Sequence, residues 1–304
     1  MWKRVLDLGG LKRWFGDLRF LEPDGAADKR PSTPRPIPVL SQQEAGAEGI
    51  PDATWHPARL ALVERLWGDG FIAPGGAADV LQLVNPMGLT GADTLLLLGA
   101  GPFGAARAIA GGFHCWVEGY ERDATLLAVA QSRAEQAGLK KRAPTQLLNS
   151  ASKFRAKSAS HAVSLQSIGD ADAVGPVLAG VAGAMRPGGQ LGMVELVVDG
   201  DLEDAIGKRW LELEQRSAPP PAQASIGGEL RHLSFDVRIV DDISSRHVQS
   251  VLTGWMGFLQ GVKAERPSRA QAQLMVAEAE SWLLRLKLID AKRLRVMRWQ
   301  AIRG

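Results

Sequence analysis

Several features that often assign a function directly are scarce in this sequence. Cys115 is the one cysteine among 304 residues, which excludes an internal disulfide framework and a thiolate metal site. The five histidines show no HExxH or paired-ligand spacing, so we expect no metal site. No apolar run approaches the roughly 18 residues of a membrane-spanning helix. These absences favour a protein of the reducing cytoplasm that works without a bound metal.

A strong excess of charge of one sign is also lacking. The formal net charge is only +3, from 36 basic and 33 acidic residues. The C-terminal cations Lys292, Arg293, Arg295 and Arg298 would fall on both faces of a strand, because successive side chains alternate. We therefore interpret them as the solvated end of a sheet, and a nucleic-acid partner is not favoured.

Residues 1–52 differ in composition from the rest of the chain. Residues 1–21 combine tryptophan and phenylalanine with lysine and arginine, which is typical of an amphipathic segment that lies on an anionic membrane or docks on a partner protein. The interpretation that we favour is a short helix packed on its own domain, or a frayed terminus. The segment lacks a continuous apolar core and a small-residue cleavage site, so a signal peptide is not predicted. Residues 22–52 contain PSTPRPIP and predict an extended linker, and the ordered domain is expected over 53–304.

A glycine-rich stretch in the first half of the chain carries the clearest pattern. Leu95–Leu98 have the length and hydrophobicity of a parallel strand that is buried on both faces. Gly99, Gly101 and Gly104 follow at the spacing of a tight turn whose backbone approaches a ligand, and the N–H groups of the next helix face that ligand. The stretch therefore predicts one half of a nucleotide-binding fold.

An acidic residue ends the second strand of this unit. The apolar run Cys115–Tyr120 leads to Glu121, about twenty residues beyond the glycines. Glu118 also fits by distance, but it lies inside the strand, whereas ligands of open α/β sheets bind at the carboxyl ends of the strands. We therefore predict that Glu121 accepts hydrogen bonds from the two hydroxyls of a ribose. This pattern alone fits proteins that bind NAD as well as those that bind S-adenosyl-L-methionine (SAM).

Strands and helices alternate through the rest of the chain. Further strands are predicted at Thr145–Leu148, His161–Leu165, Gln190–Val198, Phe235–Val240 and Leu294–Ile302. Helices are predicted at about 57–67, 77–85, 105–110, 124–138, 171–185, 201–215, 247–262 and 268–288, with a loop over 217–228. The alternation predicts an α/β fold: a doubly wound, Rossmann-like sheet, mostly parallel, preceded by two extra helices.

Four motifs in this order resemble class I SAM-dependent methyltransferases. They are LLLLGAGPFG at 95–104, GYERDATLLAVAQSRA at 119–134, AMRPGGQLGMVEL at 184–196 and FDVRIVDDIS at 235–244. The resemblance covers residue 53 to the C-terminus and is greatest to the branch that N-methylates small amines. It implies an antiparallel last strand, RLRVMRWQAI, inserted between the fifth and sixth strands.

The resemblance also implies which residues hold the cofactor SAM. The glycines would pass under its methionine part, Glu121 would hold the ribose, and Arg122 would border the adenine. Gln166 and Ser167 would lie beside the transferred methyl, and Trp67 and Phe71 would form a lid. The full set implied at the cofactor is Gly99, Ala100, Gly101, Phe103, Gly104, Glu121, Arg122, Asn149, Ser150, Ala151, Gln166 and Ser167.

Two positions depart from the family pattern. Leu97 and Asn149 stand where the family usually has an acid. Losing a carboxylate beside the ammonium group of SAM removes a charge-assisted hydrogen bond worth roughly 1.5 to 3 kcal/mol. The expected function is methyl transfer from SAM to a small-molecule N or O nucleophile by in-line displacement. The alternatives are a methyltransferase-fold protein that binds or regulates without catalysis, and an NAD-dependent oxidoreductase.

No residue is predicted to be catalytic. In-line methyl transfer needs positioning above all, and a dedicated base is optional. The candidates for a base are Asp170, His161, Asp242 and His247, and each also fits a surface or capping role. An aromatic cage for a methylated ammonium would rest on Trp67, Trp210 or Trp255, for which core packing is the other interpretation.

Overall fold

Seven strands form the centre of the part of the chain that the structure describes. The structure is a computed structural model that describes residues 54–149, 154–262 and 267–304. The predictions for residues 1–52, and those for Ser150 and Ala151, lie outside the described residues. The strands are β1 Thr94–Leu98, β2 Trp116–Glu121, β3 Thr145–Leu147, β4 His161–Leu165, β5 Gln190–Val198, β6 Phe235–Asp242 and β7 Leu294–Arg303.

The seven strands make one mixed sheet in the order β3-β2-β1-β4-β5-β7-β6. The first five strands pair in parallel, whereas β7 runs antiparallel between β5 and β6. The predicted Rossmann-like sheet with an inserted antiparallel last strand is therefore confirmed.

Nine α-helices lie in the described ranges, on both faces of the sheet. They are α1 Pro57–Trp67, α2 Gly76–Val84, α3 Gly104–Phe113, α4 Ala124–Gln136, α5 Ala171–Ala184, α6 Ala205–Leu213, α7 Gln223–His232, α8 Ser244–Val262 and α9 Arg269–Asp290. The two helices predicted ahead of the sheet are α1 and α2. None of the described helices combines the length and the apolar content that a membrane crossing needs.

The leucines of β1 connect the two layers of the core. Leu95 and Leu97 pack with α2, α3 and α4, whereas Leu96 and Leu98 pack with α5 and α7. All four leucines are at most 1% exposed. Because successive side chains of a strand point to opposite faces, this run can be apolar throughout only if both faces are covered.

Most predicted elements are found within a few residues of their expected bounds, but one helix was missed. Residues 217–228 were predicted to be a loop because they contain three successive prolines and two glycines, yet α7 begins at Gln223. Ile226 and Leu230 of α7 are fully buried in the core beside α5. The prediction was wrong because this burial outweighs the low helix propensity of Gly227 and Gly228.

A buried carboxylate fixes the turn that follows β4. The Glu195 side chain on β5 is fully buried and accepts hydrogen bonds from the Ser164 hydroxyl (2.6 Å) and from the backbone N–H groups of Ser167 (3.1 Å) and Ile168 (3.3 Å). Burial raises the pKa of Glu195 from 4.5 to about 7, although the three hydrogen bonds oppose the shift. Gln166, in the same turn, has a left-handed backbone with φ of 49°. Glu195 thus joins β5 to a turn with an unusual backbone.

The pKa of Glu195 gives a prediction for stability against pH. Because the folded state raises this pKa, the protonated carboxyl is favoured on folding, so its contribution is complete below about pH 4.5 and is lost as the pH rises through about 7. We expect the free energy of unfolding of the native protein, relative to Glu195→Gln, to fall by roughly 3 kcal/mol between about pH 4.5 and about pH 8. Urea unfolding at several pH values measures this difference.

Glu203→Gln is the matched control, because Glu203 is exposed and its carboxylate lies 3.4 Å from Lys208 Nζ. The control should follow the native protein at every pH. Parallel pH profiles of the native protein and Glu195→Gln would contradict the assignment of a raised pKa to this carboxyl.

Candidate functional site

A cavity of about 290 Å³ lies at the carboxyl ends of the parallel strands. Gly99 after β1, Glu121 at the end of β2 and Gln166 after β4 all line it. This is the edge at which ligands bind in open α/β sheets. We call the part lined by Gly99–Pro102, Glu121, Arg122, Gln166 and Ser167 the glycine half. The part lined by residues of α1, α8, α9 and β7 and of the segment that follows α6 is called the arginine half.

The glycine loop is held by the backbone of the neighbouring strand. Gly99 and Ala100 donate backbone hydrogen bonds of 3.0 and 3.1 Å to the carbonyl of Tyr120. Gly99 and Gly101 have φ values of 70° and 59°, in the left-handed region that favours glycine. A Cβ built on Gly101 would approach only the Ile72 side chain, at 3.7 Å, and both residues line the cavity. The missing side chain of Gly101 therefore leaves space in the cavity.

Gly104 has a different role from the other two glycines. Its N–H donates a 2.8 Å hydrogen bond to the carbonyl of Gly70, in the segment between α1 and α2. A Cβ on Gly70 would lie 2.6 Å from Gly104 N, so the two backbones need glycine to approach this closely. Gly104 and Phe103 do not line the cavity, and Phe103 is 1% exposed in the core. Gly104 therefore permits close contact with the backbone of Gly70, and not with a ligand in the cavity.

The Glu121 carboxylate lies beside the glycine loop. Its Oε2 accepts a 2.7 Å hydrogen bond from Gly101 N, and its Oε1 accepts from Arg122 N (2.7 Å) and Asp123 N (3.0 Å). The side chain is 7% exposed, and burial raises its pKa above the ordinary value against these three hydrogen bonds. Glu118, the other acid considered, bonds to the Tyr120 hydroxyl at 2.9 Å and does not line the cavity.

Of the remaining positions implied at the cofactor, some line the cavity and others do not. Ala100, Arg122, Gln166 and Ser167 line the cavity together with Gly99, Gly101 and Glu121. Asn149 is exposed after β3 and does not line it. Leu97, where the family usually has an acid, is fully buried in the core.

Carboxylates other than Glu121 also reach the cavity, and the sequence did not indicate them. They are Asp79, Glu214 and Glu278. Glu278 pairs with Arg59 at 2.9 Å, and Glu214 pairs with Arg285 at 2.7 Å. Asp79, on α2, makes no ion pair with a described residue.

Three of the four candidate bases are engaged elsewhere. Asp170 caps α5 by accepting from Ala173 N, Asp242 accepts from Ser244 N, and His161 Nδ1 accepts from Gln190 N at the start of β5. His247 lines the cavity, and burial together with Arg285 lowers its pKa to about 3. The imidazole of His247 is therefore neutral at neutral pH.

The tryptophans of the cavity are also different from those expected. Trp67, Trp210 and Trp255 are at most 7% exposed and do not line the cavity, so they pack in the core. Trp55 and Trp282 line it instead. Phe71, one of the two residues expected to form a lid, lines the cavity, whereas Trp67 packs edge-on against Trp282 with ring centroids 4.9 Å apart.

The glycine half fits the adenosine and methionine parts of SAM by the chemistry of its donors and acceptors. Glu121 offers a carboxylate with about four lone-pair sites, of which backbone N–H groups use three. One site is left for a ribose hydroxyl, rather than the two that were predicted from the sequence. The space beside Gly101 admits a ligand against the backbone. Among the described residues, no group of three His, Cys, Asp or Glu side chains is placed to hold a metal ion.

The comparisons with known proteins rest on structure alone, because no protein-family model and no curated protein matches the sequence. One similar structure is phosphoethanolamine N-methyltransferase 2 of Haemonchus contortus in complex with phosphomonomethylethanolamine and S-adenosylhomocysteine, with a TM-score of 0.70 and 20% identity. The match covers 81% of this chain but only 57% of that chain.

For two further similar structures, the match covers nearly all of the other protein's chain. A putative sarcosine dimethylglycine methyltransferase from Galdieria sulphuraria has a TM-score of 0.65 and 13% identity, over 81% of this chain and 98% of that chain. The [4+2]-cyclase SpnF has a TM-score of 0.60 and 17% identity, over 80% of this chain and 92% of that chain. With the sheet order and the site at its carboxyl edge, these similarities show that the chain has the class I SAM-dependent methyltransferase fold.

Proposed function

We propose that this protein binds SAM and transfers its methyl group to a small-molecule acceptor. The observation that carries the proposal is the placement of Glu121, whose buried carboxylate faces the glycine loop at the edge of a cavity. Bound SAM would supply an electrophilic methyl group on a sulfonium; the acceptor's nucleophile would bond to this methyl in line as the carbon–sulfur bond breaks, and S-adenosylhomocysteine would leave with the electron pair. The cavity extends past Gln166 and Ser167 into the arginine half, which would hold the acceptor.

Glu121 would hold the ribose of SAM. Its three backbone hydrogen bonds orient the carboxylate before any ligand arrives, so little conformational freedom is lost on binding. Arg122, next in the chain, would border the adenine. Gly101, which has no side chain, would let the methionine part of SAM lie against the loop.

Asp79 would compensate for the missing acid at Leu97. The ammonium group of SAM needs a negative partner, and Leu97 is an apolar core residue. Of the four carboxylates that line the cavity, Asp79 is the one that neither pairs with an arginine nor accepts from a backbone N–H group among the described residues. A carboxylate so placed is suited to a charge-assisted hydrogen bond with a primary ammonium.

The acceptor would be activated by position and by exclusion of water. A nucleophile held at about 3 to 3.5 Å from the methyl in a water-poor site reacts without covalent help from the protein. His247 contributes a neutral ring, because its pKa of about 3 makes it a very weak base. This arrangement suits an acceptor whose nucleophilic atom is already unprotonated when it reacts.

A protein that binds SAM or a partner without methyl transfer is the second candidate. Leu97 in place of the usual acid favours it. The similar structure of the [4+2]-cyclase SpnF belongs to a protein with another activity on this fold. Turnover of a methyl acceptor separates the two candidates, because only the first transfers a methyl group.

The first test of the proposal is calorimetric titration of the protein with SAM and with S-adenosylhomocysteine. We expect binding in the micromolar range and at least a 10-fold loss of affinity in Glu121→Ala, since each hydrogen bond to a charged group is worth roughly 1.5 to 3 kcal/mol. NADH is the control ligand, because the glycine spacing also fits NAD-binding proteins.

Glu118→Ala is the matched control variant, because Glu118 lies on the same strand and does not line the cavity. It should bind SAM as the native protein does. Thermal unfolding of each variant shows whether it is folded. Failure of the folded native protein to bind either SAM compound would refute the proposal, and binding of NADH would then support the oxidoreductase.

Asp79 gives a second prediction for cofactor binding. We expect Asp79→Asn to lower the affinity for SAM and for S-adenosylhomocysteine by about 10-fold. Both ligands carry the ammonium group, and the amide of asparagine has no negative charge to pair with it. Adenosine lacks the ammonium group and should bind the native protein and the variant equally. An equal loss for adenosine would show that Asp79 acts on the cavity as a whole, against the proposed role.

A further inference from the structure

The arginine half of the cavity carries more positive than negative charge. Its two carboxylates, Glu214 and Glu278, are outnumbered by arginines from five different parts of the chain. These arginines are Arg59, Arg216, Arg246, Arg285 and Arg298. Burying several guanidinium groups around one cavity is unfavourable unless negative charge balances them.

The carboxylates of the chain balance only part of this charge. Glu278 and Glu214 are taken up by Arg59 and Arg285. Arg298 pairs with Asp241, which lies outside the cavity lining.

The other two arginines have neutral partners. Arg246 donates to the amide oxygen of Gln82 at 2.7 Å, and Arg216 donates to the carbonyl of Gly169 at 3.0 Å. Neither makes an ion pair within 4.0 Å among the described residues, although the charges of Glu214, Glu195 and Asp170 act on Arg216 from farther away. The arginine half is therefore electropositive.

Three of these arginines share one pattern of hydrogen bonding. Arg246, Arg285 and Arg298 are each anchored through a terminal nitrogen, and the Nε of each is buried without a partner in the described structure. The Nε2 of His247 is in the same condition. Arg285 is only 5% exposed. The Nε of Arg295, which lies outside this cavity, is also buried without a partner in the described structure, so the feature alone does not mark a binding site. What distinguishes Arg246, Arg285 and Arg298 is that all three line one cavity, where an acceptor from outside the chain can satisfy such donors.

The guanidinium of Arg285 is also held in place by aromatic packing. Arg285 lies over the Trp282 ring at 4.5 Å, and His247 lies 6.0 Å from the same ring between centroids. The indole faces the cavity as well. A group that is fixed in this way loses little freedom when it binds a ligand, so the arrangement favours recognition.

Arg298 lies close to the part of the cavity where the methyl would be transferred. It is opposite Val194 in the pairing of β7 with β5, and Gln166 N donates a 2.8 Å hydrogen bond to the Val194 carbonyl. Two strand spacings, roughly 10 Å, therefore separate the backbone of Gln166 from that of Arg298. A small molecule can span this distance with one end at each.

We propose that the methyl acceptor is an anion, a carboxylate or a phosphate ester, whose charged group is bound by Arg246, Arg285 and Arg298. This inference rests on the proposed function for the identity of the ligand as an acceptor. The planar guanidinium matches both carboxylate and phosphate oxygens through paired N–H donors. The anion would lie between the start of α8, the C-terminal half of α9 and β7, with His247 as a neutral donor or acceptor beside it.

The test is calorimetric titration of the full-length protein with inorganic phosphate and, separately, with acetate, each with and without saturating S-adenosylhomocysteine. We expect at least one anion to bind and to bind at least 10-fold more weakly to Arg298→Gln, since a charged hydrogen-bonding partner is lost. The preference between phosphate and acetate indicates which class of acceptor fits.

Arg295→Gln is the matched control, because Arg295 is on the same strand, pairs with Asp199 at 2.8 Å and does not line this cavity. It should bind the anion as the native protein does. Arg246→Gln is a second test variant in case Arg298→Gln does not fold, because Arg246 is anchored only to Gln82 in the described structure. Arg246→Gln should also bind the anion more weakly than the native protein does.

The two anion series separate this inference from the proposed function. Suppose that the native protein binds an anion, that the variants lose this binding, and that the native protein does not bind S-adenosylhomocysteine. This result would support the anion site, but it would show that the site does not bind a methyl acceptor. Binding of S-adenosylhomocysteine without any anion binding, or anion binding equal in native protein, Arg298→Gln and Arg246→Gln, would overturn the inference.

Discussion

The site depends on the hydrogen bonds that the Glu121 carboxylate accepts from backbone N–H groups. They connect the glycine loop after β1 to the end of β2, so the two segments hold one geometry. Burial of the carboxylate raises its pKa, and the peptide N–H groups directed at it oppose that shift. The same side chain therefore holds the loop in place and lines the cavity.

The arginine half is held together by ion pairs between side chains. Ion pairs connect α1 to α9 and the end of α6 to α9, through Arg59 with Glu278 and Arg285 with Glu214. Partly buried ion pairs of this kind contribute little net stability, because desolvation offsets most of the attraction. Their geometry nevertheless fixes where the guanidinium groups lie. The helices over the cavity are therefore positioned by charge as well as by the packing of Trp67 on Trp282.

The sequence was most informative where the chemistry is local. The leucine run, the glycine spacing and Glu121 follow one another within a short stretch, and each has a backbone reason that can be recognised without the fold. The arginine cluster could not be predicted, because its members are far apart in the chain and a single arginine is usually solvated. Arg298 was even assigned to a solvated sheet end. The buried role of Glu195 left one signal, a lone acid inside the apolar run QLGMVELVV, that was not used.

The contact of Gly70 with Gly104 has a consequence for how the segment between α1 and α2 can move. The carbonyl of Gly70 belongs to the segment between α1 and α2, whereas the N–H of Gly104 begins the helix that follows the glycine loop. One hydrogen bond thus joins the segment between α1 and α2 to the first turn of α3. Any displacement of that segment away from α3 must break this bond or move the start of α3 with it.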